Sequence, residues 1–298
     1  QAERALIKKA IDGAKKAFEE WGSSPFSERM EILLAFKDLL IEEKDALSAV
    51  ISKETGKPLW ESHQETQSMI EKILISQNAY RQRCRVIEVT VGETHIKTHF
   101  RPHGTLAVFG PFNFPGHLPN GHIIPALLAG NTIVYKPSEK TPLTGEFYTA
   151  LMEKAKIPKG VFNLLQGGKE CGQLIAQSSL LDGLLFTGSY AVGASLSKMF
   201  ADHPGKLLAL EMGGNNPLII DDVQDLKSAC FITIQSAFIS TGQRCSCARR
   251  LILLKPFALR FLPLLIKAIK QLKIGPPEEN PYMGPLITES SRDQVLHM

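Results

Sequence analysis

Three short stretches of this chain carry residues suited to covalent chemistry on a carbonyl. In Gly242-Gln-Arg-Cys-Ser-Cys247, Cys245 follows a predicted helix and stands next to Arg244. A neighbouring cation raises the thiolate fraction of a cysteine and so its power as a nucleophile. The alternative is an inert buried thiol. In Leu210-Glu-Met-Gly-Gly-Asn-Asn-Pro217, Glu211 closes an apolar strand beside a Gly-Gly turn. Partial burial there would raise the carboxyl pKa toward the range useful to a general base; the alternative is a structural hydrogen bond to backbone. In Phe109-Gly-Pro-Phe-Asn-Phe-Pro-Gly116, two prolines and two glycines stiffen a turn that carries the Asn113 amide. A rigid amide donor stabilises an oxyanion without reorganising, although the same side chain could simply cap its turn.

Three further segments suit a dinucleotide. Lys136-Pro-Ser138-Glu139 follows a strand directly, and an acidic side chain at such a place binds a ribose 2′-hydroxyl while repelling a 2′-phosphate. The other two are loops at strand-to-helix junctions. One runs from Gln166 to Gly172 and includes Gly168; the other runs from Phe186 through Thr187, Gly188 and Ser189 to Gly193. Free N–H groups at helix starts favour phosphate. Neither loop is G-x-G-x-x-G or a P-loop, and glycine at such junctions also serves plain turn geometry.

The elements that must position these residues follow from periodicity. Apolar residues at helical spacing predict helices over about 6–21, 27–52 and 61–83. Val86–Val91 and Thr94–Phe100, around Gly92-Glu93, predict a polar hairpin that leans on another strand or chain. Beyond Pro102, short apolar strands at Thr105–Phe109, Thr132–Tyr135, Val161–Leu165, Gly183–Phe186, Lys206–Leu210 and Leu218–Ile220 alternate with helical stretches. Such alternation predicts an α/β fold with a parallel sheet covered on both faces and ligands at the carboxyl ends of its strands. A helix over Asp225–Thr241, a strand over Arg250–Lys255 and a helix over Phe257–Lys273 complete the reading.

Composition narrows the function classes. Of 298 residues, 44% are hydrophobic and 21% charged, an ordinary globular balance. The net charge of +4 is dispersed, so no nucleic-acid partner is expected. Five scattered cysteines make neither a disulfide framework nor a zinc site, which favours a reducing, cytoplasmic compartment. No apolar run approaches the roughly 18 residues of a membrane span. Both ends of the chain look cut.

Taken together, F-G-P-F-N-F-P, K-P-S-E, F-T-G-S-x-x-x-G, L-E-M-G-G-N-N-P and G-Q-R-C, in this order and at these separations, resemble the NAD(P)-dependent aldehyde dehydrogenase superfamily. The resemblance covers essentially the whole chain. It implies a Rossmann-type cofactor unit over 1–85 and 101–222, an oligomerisation hairpin over 86–100, and the start of a second α/β catalytic unit over 223–298. It also implies a homo-oligomer at full length and further segments, among them an E-x-F-G-P motif that holds the nicotinamide ribose. Within it, Cys245 would be the nucleophile, Glu211 the general base, and Asn113 with the Cys245 N–H the oxyanion hole. Lys136 and Glu139 would hold the adenosine ribose of NAD, Gly188 and Ser189 the pyrophosphate, and Thr187 and Gly213 the nicotinamide region; Ser138, Gly168, Gly172, Phe186 and Gly193 complete the expected cofactor set. Asn113–Asn131 and Gln235–Arg250 resemble more narrowly the N-succinylglutamate 5-semialdehyde dehydrogenases of bacterial arginine catabolism, whose substrate is a multiply carboxylated aldehyde. Arg244, His117 and Asn120 would be partners for its carboxylates, with Arg244 alternatively tuning Cys245 or pairing with a local acid. Three other readings stay open: an aldehyde dehydrogenase for another aldehyde, a dinucleotide-binding remnant without turnover, and a thiol esterase that works without NAD.

Overall fold

The computed structural model describes residues 2–297. Four helices come first: α1 (Arg4–Trp21), α2 (Phe26–Glu42), α3 (Lys44–Thr55) and α4 (Leu59–Arg83). The single helix expected over 27–52 is two, because Glu43 leaves helical geometry at φ −97°, ψ 16°. Gly56, at φ 75°, stops α3 in the left-handed conformation that glycine takes without a Cβ clash.

The hairpin follows as β1 (Ile87–Val91) and β2 (Thr94–Thr98), antiparallel, exposed at every residue and joined to no other sheet among the described residues. The alternating region then supplies β3 (Thr105–Phe109), α5 (His117–Leu128), β4 (Thr132–Lys136), α6 (Pro142–Lys154), β5 (Phe162–Leu164), α7 (Lys169–Ala176), β6 (Gly183–Gly188), α8 (Tyr190–Phe200) and β7 (Leu207–Met212). These five strands form one parallel sheet in the order β5-β4-β3-β6-β7. The chain starts in the middle, builds outward to β5, then returns to build β6 and β7 on the other side. The order reverses between β3 and β6, and a crevice opens at the carboxyl ends of strands where this happens. Residues of β3 and β4 are buried throughout because both faces are covered. One core layer packs α2–α6 against the sheet around Phe36, Ile123, Tyr135 and Tyr148. The opposite layer packs α1, α7 and α8 around Ile11, Val134, Ile175 and Phe200.

The last part is built differently. It contains β8 (Asn216–Ile220), α9 (Leu226–Phe238), β9 (Ala248–Leu253), α10 (Lys255–Ile269) and α11 (Glu289–Leu296). The strand expected over Leu218–Ile220 as part of the cofactor sheet pairs instead with β9, in parallel, so that sheet ends at β7. A small core around Phe257 and Phe261 joins α9 and α10 to this pair. The helix expected to run to Thr241 ends at Phe238. After it, Ser240 (φ 54°), Thr241 (φ 57°) and Gly242 (φ 69°) form a left-handed turn that carries the chain toward Cys245. No helix of the described residues is long and apolar enough to cross a membrane.

Candidate active site

The carboxyl ends of β3, β4, β6 and β7 and the turn after α9 line one open cleft of about 1070 Å³. That is at the upper end of the range for small-molecule sites, roomy enough for a dinucleotide with a second ligand. Asn113, His117, Lys136, Ser138, Glu139, Gly168, Gly172, Phe186, Thr187, Gly188, Ser189, Glu211, Gly213, Arg244 and Cys245 all border it. Residues spread over more than 130 positions of sequence thus face one space.

The end of the cleft that holds Cys245 is assembled by side-chain contacts to backbone. Asn113 Nδ2 donates to the Gln243 carbonyl at 2.7 Å. One of its two N–H groups is thereby committed, which ties the Asn113 turn to the residue two before Cys245. Asn216 Nδ2 donates to the carbonyls of Cys245, at 2.7 Å, and Cys247, at 3.1 Å. The Gly-Gly turn beyond Glu211 lies against the same point: a Cβ on Gly214 would sit 3.3 Å from the Cys245 carbonyl oxygen. Cys245 is exposed, whereas Cys247 beside it is buried. Glu211 is also exposed, contrary to the partial burial expected of it, because the strand that carries it forms the edge of the sheet.

The other end suits a dinucleotide. Lys136 is nearly buried, and its ammonium donates to the carbonyls of Pro137 at 2.8 Å and Gly167 at 2.7 Å. Burial lowers its pKa, an effect that Glu139 and Cys171 oppose. The Glu139 carboxylate is exposed and lies 3.8 Å from that ammonium. Ser138 Oγ accepts from the Lys140 N–H at 3.3 Å, which shapes the turn. Gly168 caps α7 with open space where a Cβ would be, and the same is true of Gly213. Ser189 caps α8, its hydroxyl accepting from the Val192 N–H at 3.4 Å. At Gly188 a Cβ would lie 2.5 Å from the Phe186 ring, so glycine lets the chain pass close over it.

Two of the expected residues lie elsewhere. Asn120 is fully buried; it donates to the Met69 carbonyl at 3.1 Å and accepts from the Tyr148 hydroxyl at 2.9 Å, so it braces α5 and cannot reach a substrate. Gly193 is a packing position: a Cβ there would stand 2.3 Å from Met212 Sδ, so its place is between α8 and β7. Arg244 borders the cleft, but its guanidinium is engaged, donating to Glu61 at 2.8 Å and to Ser240 Oγ at 2.7 Å. Of the roles open to it, pairing with a local acid is the one observed.

Sequence reasoning passed over His122. Its Nε2 is 3.0 Å from Thr187 Oγ1, it borders the cleft, and burial lowers its pKa while Glu211 pulls the other way. His117 is likewise lowered by burial, with Glu65 opposing. A polar residue among the glycines and prolines of 110–125 was the available signal. Gln243 was also passed over: its side chain accepts from the Ile287 N–H at 3.0 Å and fastens the segment before α11 to the Cys245 turn. No cluster of potential metal ligands occurs among the described residues.

The chain is similar to known proteins over nearly its whole length. The N-succinylglutamate 5-semialdehyde dehydrogenase of Enterobacter sp. (strain 638) is 49% identical over 300 residues, spanning 99% of this chain and 60% of the relative. That of Hahella chejuensis (strain KCTC 2396) is 50% identical over 294 residues, spanning 98% of this chain and 60% of the relative. The chain therefore spans about 60% of the length of these curated relatives. Among solved structures, glyceraldehyde-3-phosphate dehydrogenase from Methanocaldococcus jannaschii DSM 2661, complexed with NADP, superposes with a TM-score of 0.93 at 31% identity over 99% of this chain and 65% of that one. A mutant betaine aldehyde dehydrogenase from Staphylococcus aureus in complex with NAD+ superposes with a TM-score of 0.93 at 29% identity over 99% of this chain and 61% of that one. A sequence profile of the aldehyde dehydrogenase family matches residues 1–298, and on this match, the shared fold and the cleft lined by Cys245, Glu211 and Asn113, the chain belongs to the aldehyde dehydrogenase family.

Proposed function

We propose that this chain carries the nucleophile and most of the cofactor site of an NAD-dependent dehydrogenase that oxidises N-succinyl-L-glutamate 5-semialdehyde to N-succinyl-L-glutamate in arginine catabolism. The observation that carries this reading is the single cleft in which Cys245, Glu211 and Asn113 face the strand-end loops. The substrate rests on the relatives that share about half of its residues.

A nicotinamide cofactor fits the residues present. Gly168 and Gly213 leave open space, two helix starts face the cleft, and Lys136 and Glu139 stand at the end of β4. When bound, the nicotinamide would supply the hydride acceptor. Glu139 favours a ribose with a free 2′-hydroxyl and so NAD over NADP.

The remaining steps belong to the protein. The Cys245 thiolate attacks the aldehyde carbon. The oxyanion of the resulting thiohemiacetal takes hydrogen bonds from the uncommitted Asn113 N–H and the Cys245 backbone N–H, donors already fixed in place. Once a hydride has left, the carbon is held as a thioester on Cys245. Glu211 takes a proton from water, the hydroxide attacks the thioester, and the acid leaves as the thiolate returns. The exposure of Glu211 keeps it in contact with the water it must deprotonate. His117, which borders the cleft, is the residue left to meet a carboxylate of the substrate, since Arg244 is held by Glu61 and Ser240. We further assign the hairpin of β1 and β2 to contact with a second copy of the chain, since it is exposed at every residue and joins no other strand among the described residues.

The test is NADH formation with the semialdehyde and a panel of other aldehydes. Turnover that survives Cys245→Ala would overturn the assignment, and preference for an uncharged aldehyde would overturn the substrate.

A further inference from the structure

Three charged residues line one side of the start of α4 and take no part in the steps above. Lys57, Glu61 and Glu65 have exposures of 5%, 1% and 2%. Glu61 and Glu65 are four residues apart, hence on one face of the helix. Charges buried so deeply are costly unless each is paired, so what they pair with is informative.

Glu65 reaches the Asn113 turn. Its Oε1 accepts from the N–H groups of Gly116, at 2.9 Å, and His117, at 3.1 Å, the free donors at the start of α5. Its Oε2 pairs with Lys57 Nζ at 2.5 Å. Lys57 in turn sits 3.7 Å from the centre of the Phe114 ring, next to Asn113. Glu61 reaches the Cys245 turn. Its Oε1 accepts from Ser240 Oγ, in the left-handed turn, and from Arg244, the residue before the nucleophile. The Arg244 guanidinium lies 4.8 Å from the same Phe114 ring. One helical turn of α4 thus separates the anchor of the oxyanion donor from the anchor of the nucleophile, and Phe114 is shared by both.

We infer that Glu61 is a positioning residue for Cys245, with the row Lys57–Glu61–Glu65 acting as the gauge that sets the separation of the Cys245 and Asn113 turns. The inference rests on Cys245 and Asn113 acting as proposed above. Two observations say the contact is more than filler. Ser240 and Thr241 are non-glycine residues held at positive φ, a conformation that persists only where surroundings impose it. Glu61 supplies that restraint through Ser240. Further, Glu61 Oε2 and the nearby Tyr282 hydroxyl are buried and without hydrogen-bond partners among the described residues. An ion pair left partly unsatisfied is a poor source of stability, which is the pattern expected where geometry at a site matters more.

The experiment compares Glu61→Ala and Glu61→Gln with the parent protein. Cys245 is titrated by iodoacetamide and mapped by mass spectrometry, and kcat is expressed per alkylatable Cys245. Continued protection of the buried Cys171, Cys230 and Cys247 shows that the molecules counted are folded. Glu61→Ala is expected to lower kcat about 100-fold with KM within about twofold, the scale of a misplaced reacting group. Glu61→Gln keeps an oxygen for both Ser240 and Arg244 and is expected to recover most of that loss. Parent-like kcat per titrated Cys245 in both variants would overturn the inference. If the parent protein yields no NADH from any aldehyde, the proposed function fails, and the thiol decides the present point alone. Losing the Glu61 contacts to Ser240 and Arg244 should then change the rate of Cys245 alkylation severalfold at a fixed pH in Glu61→Ala, with Glu61→Gln restoring it, and an unchanged rate would refute the positioning role.

Discussion

Strands β3 and β4 are buried at every residue, whereas β8 and β9 alternate, with Ile219 at 69% exposure and Ile252 at 45%. The first pair lies in the middle of a five-stranded sheet covered by helices on both sides; the second is a two-stranded sheet covered by α9 and α10 on one side. Leu259, Leu264 and Ile266 of α10 are also exposed. The strand-end loops proposed for a dinucleotide therefore hang from a close-packed frame. The Cys245 turn hangs from a thinner one and is steadied by contacts reaching back to the frame, from Asn113 and Glu61. The difference teaches that the precision of the Cys245 turn is borrowed across the cleft, since its own two strands cannot enforce it.

The sharpest way to separate the two regions is Cys245→Ala. Turnover should vanish while NADH binding, followed by its fluorescence, stays within about twofold of the parent, since one residue of an open cleft surface is lost. Asn113→Ala should cut kcat by about 10²–10³-fold by removing an oxyanion donor, and more if the tie to Gln243 matters too. In chemical denaturation, Ile133→Ala in β4 should cost about 2–5 kcal/mol, because its cavity opens in a fully packed layer. Hydrogen exchange should show amides of β8, β9 and α10 exchanging well before those of β3, β4 and β6; equal protection would erase the contrast drawn here. Ile219→Thr on the uncovered side should move stability by no more than about 0.5 kcal/mol.

Acid should also act unevenly. Burial lowers the pKa of His117 and His122, so the unfolded chain binds more protons than the folded one below the ordinary value of 6.5. Their contribution to stability is complete above that value and is lost as pH falls from it toward the lowered folded values. Both imidazoles lie on or beside the first turns of α5, and β8, α9, β9 and α10 contain no histidine. Denaturation midpoints followed between pH 7 and 5 should fall, and replacing both histidines with glutamine should flatten the fall.

Much of this arrangement was legible in the sequence for a physical reason. Parallel strands covered on both faces are short continuous apolar runs, and the helices between them keep a 3.6-residue stripe, so the five-stranded sheet announces itself locally. What escaped depends on distance. The break at Glu43 has no proline or glycine to mark it, and the left-handed turn begins at Ser240, two residues before the first glycine. The partner of β8 is β9, about thirty residues on, and nothing in Leu218–Ile220 encodes that choice over β7. Nothing in the local pattern marks Glu61 and Glu65 as buried; they are so because Arg244 and the start of α5 come from far along the chain to meet them. Asn120 failed in the opposite direction, a polar side chain beside reactive neighbours that turned inward to Met69 and Tyr148.

The Lys136 ammonium has three protons, and two of them already point at the carbonyls of Pro137 and Gly167. Whatever molecule lies beside it receives one proton contact and no more. A side chain with a single free valence discriminates by direction: it can recognise where one oxygen stands on a ring, but it cannot clasp a many-oxygen anion the way an uncommitted lysine does. Position 136 is in that sense a pointer, and its aim was set by two backbone oxygens before any ligand arrived.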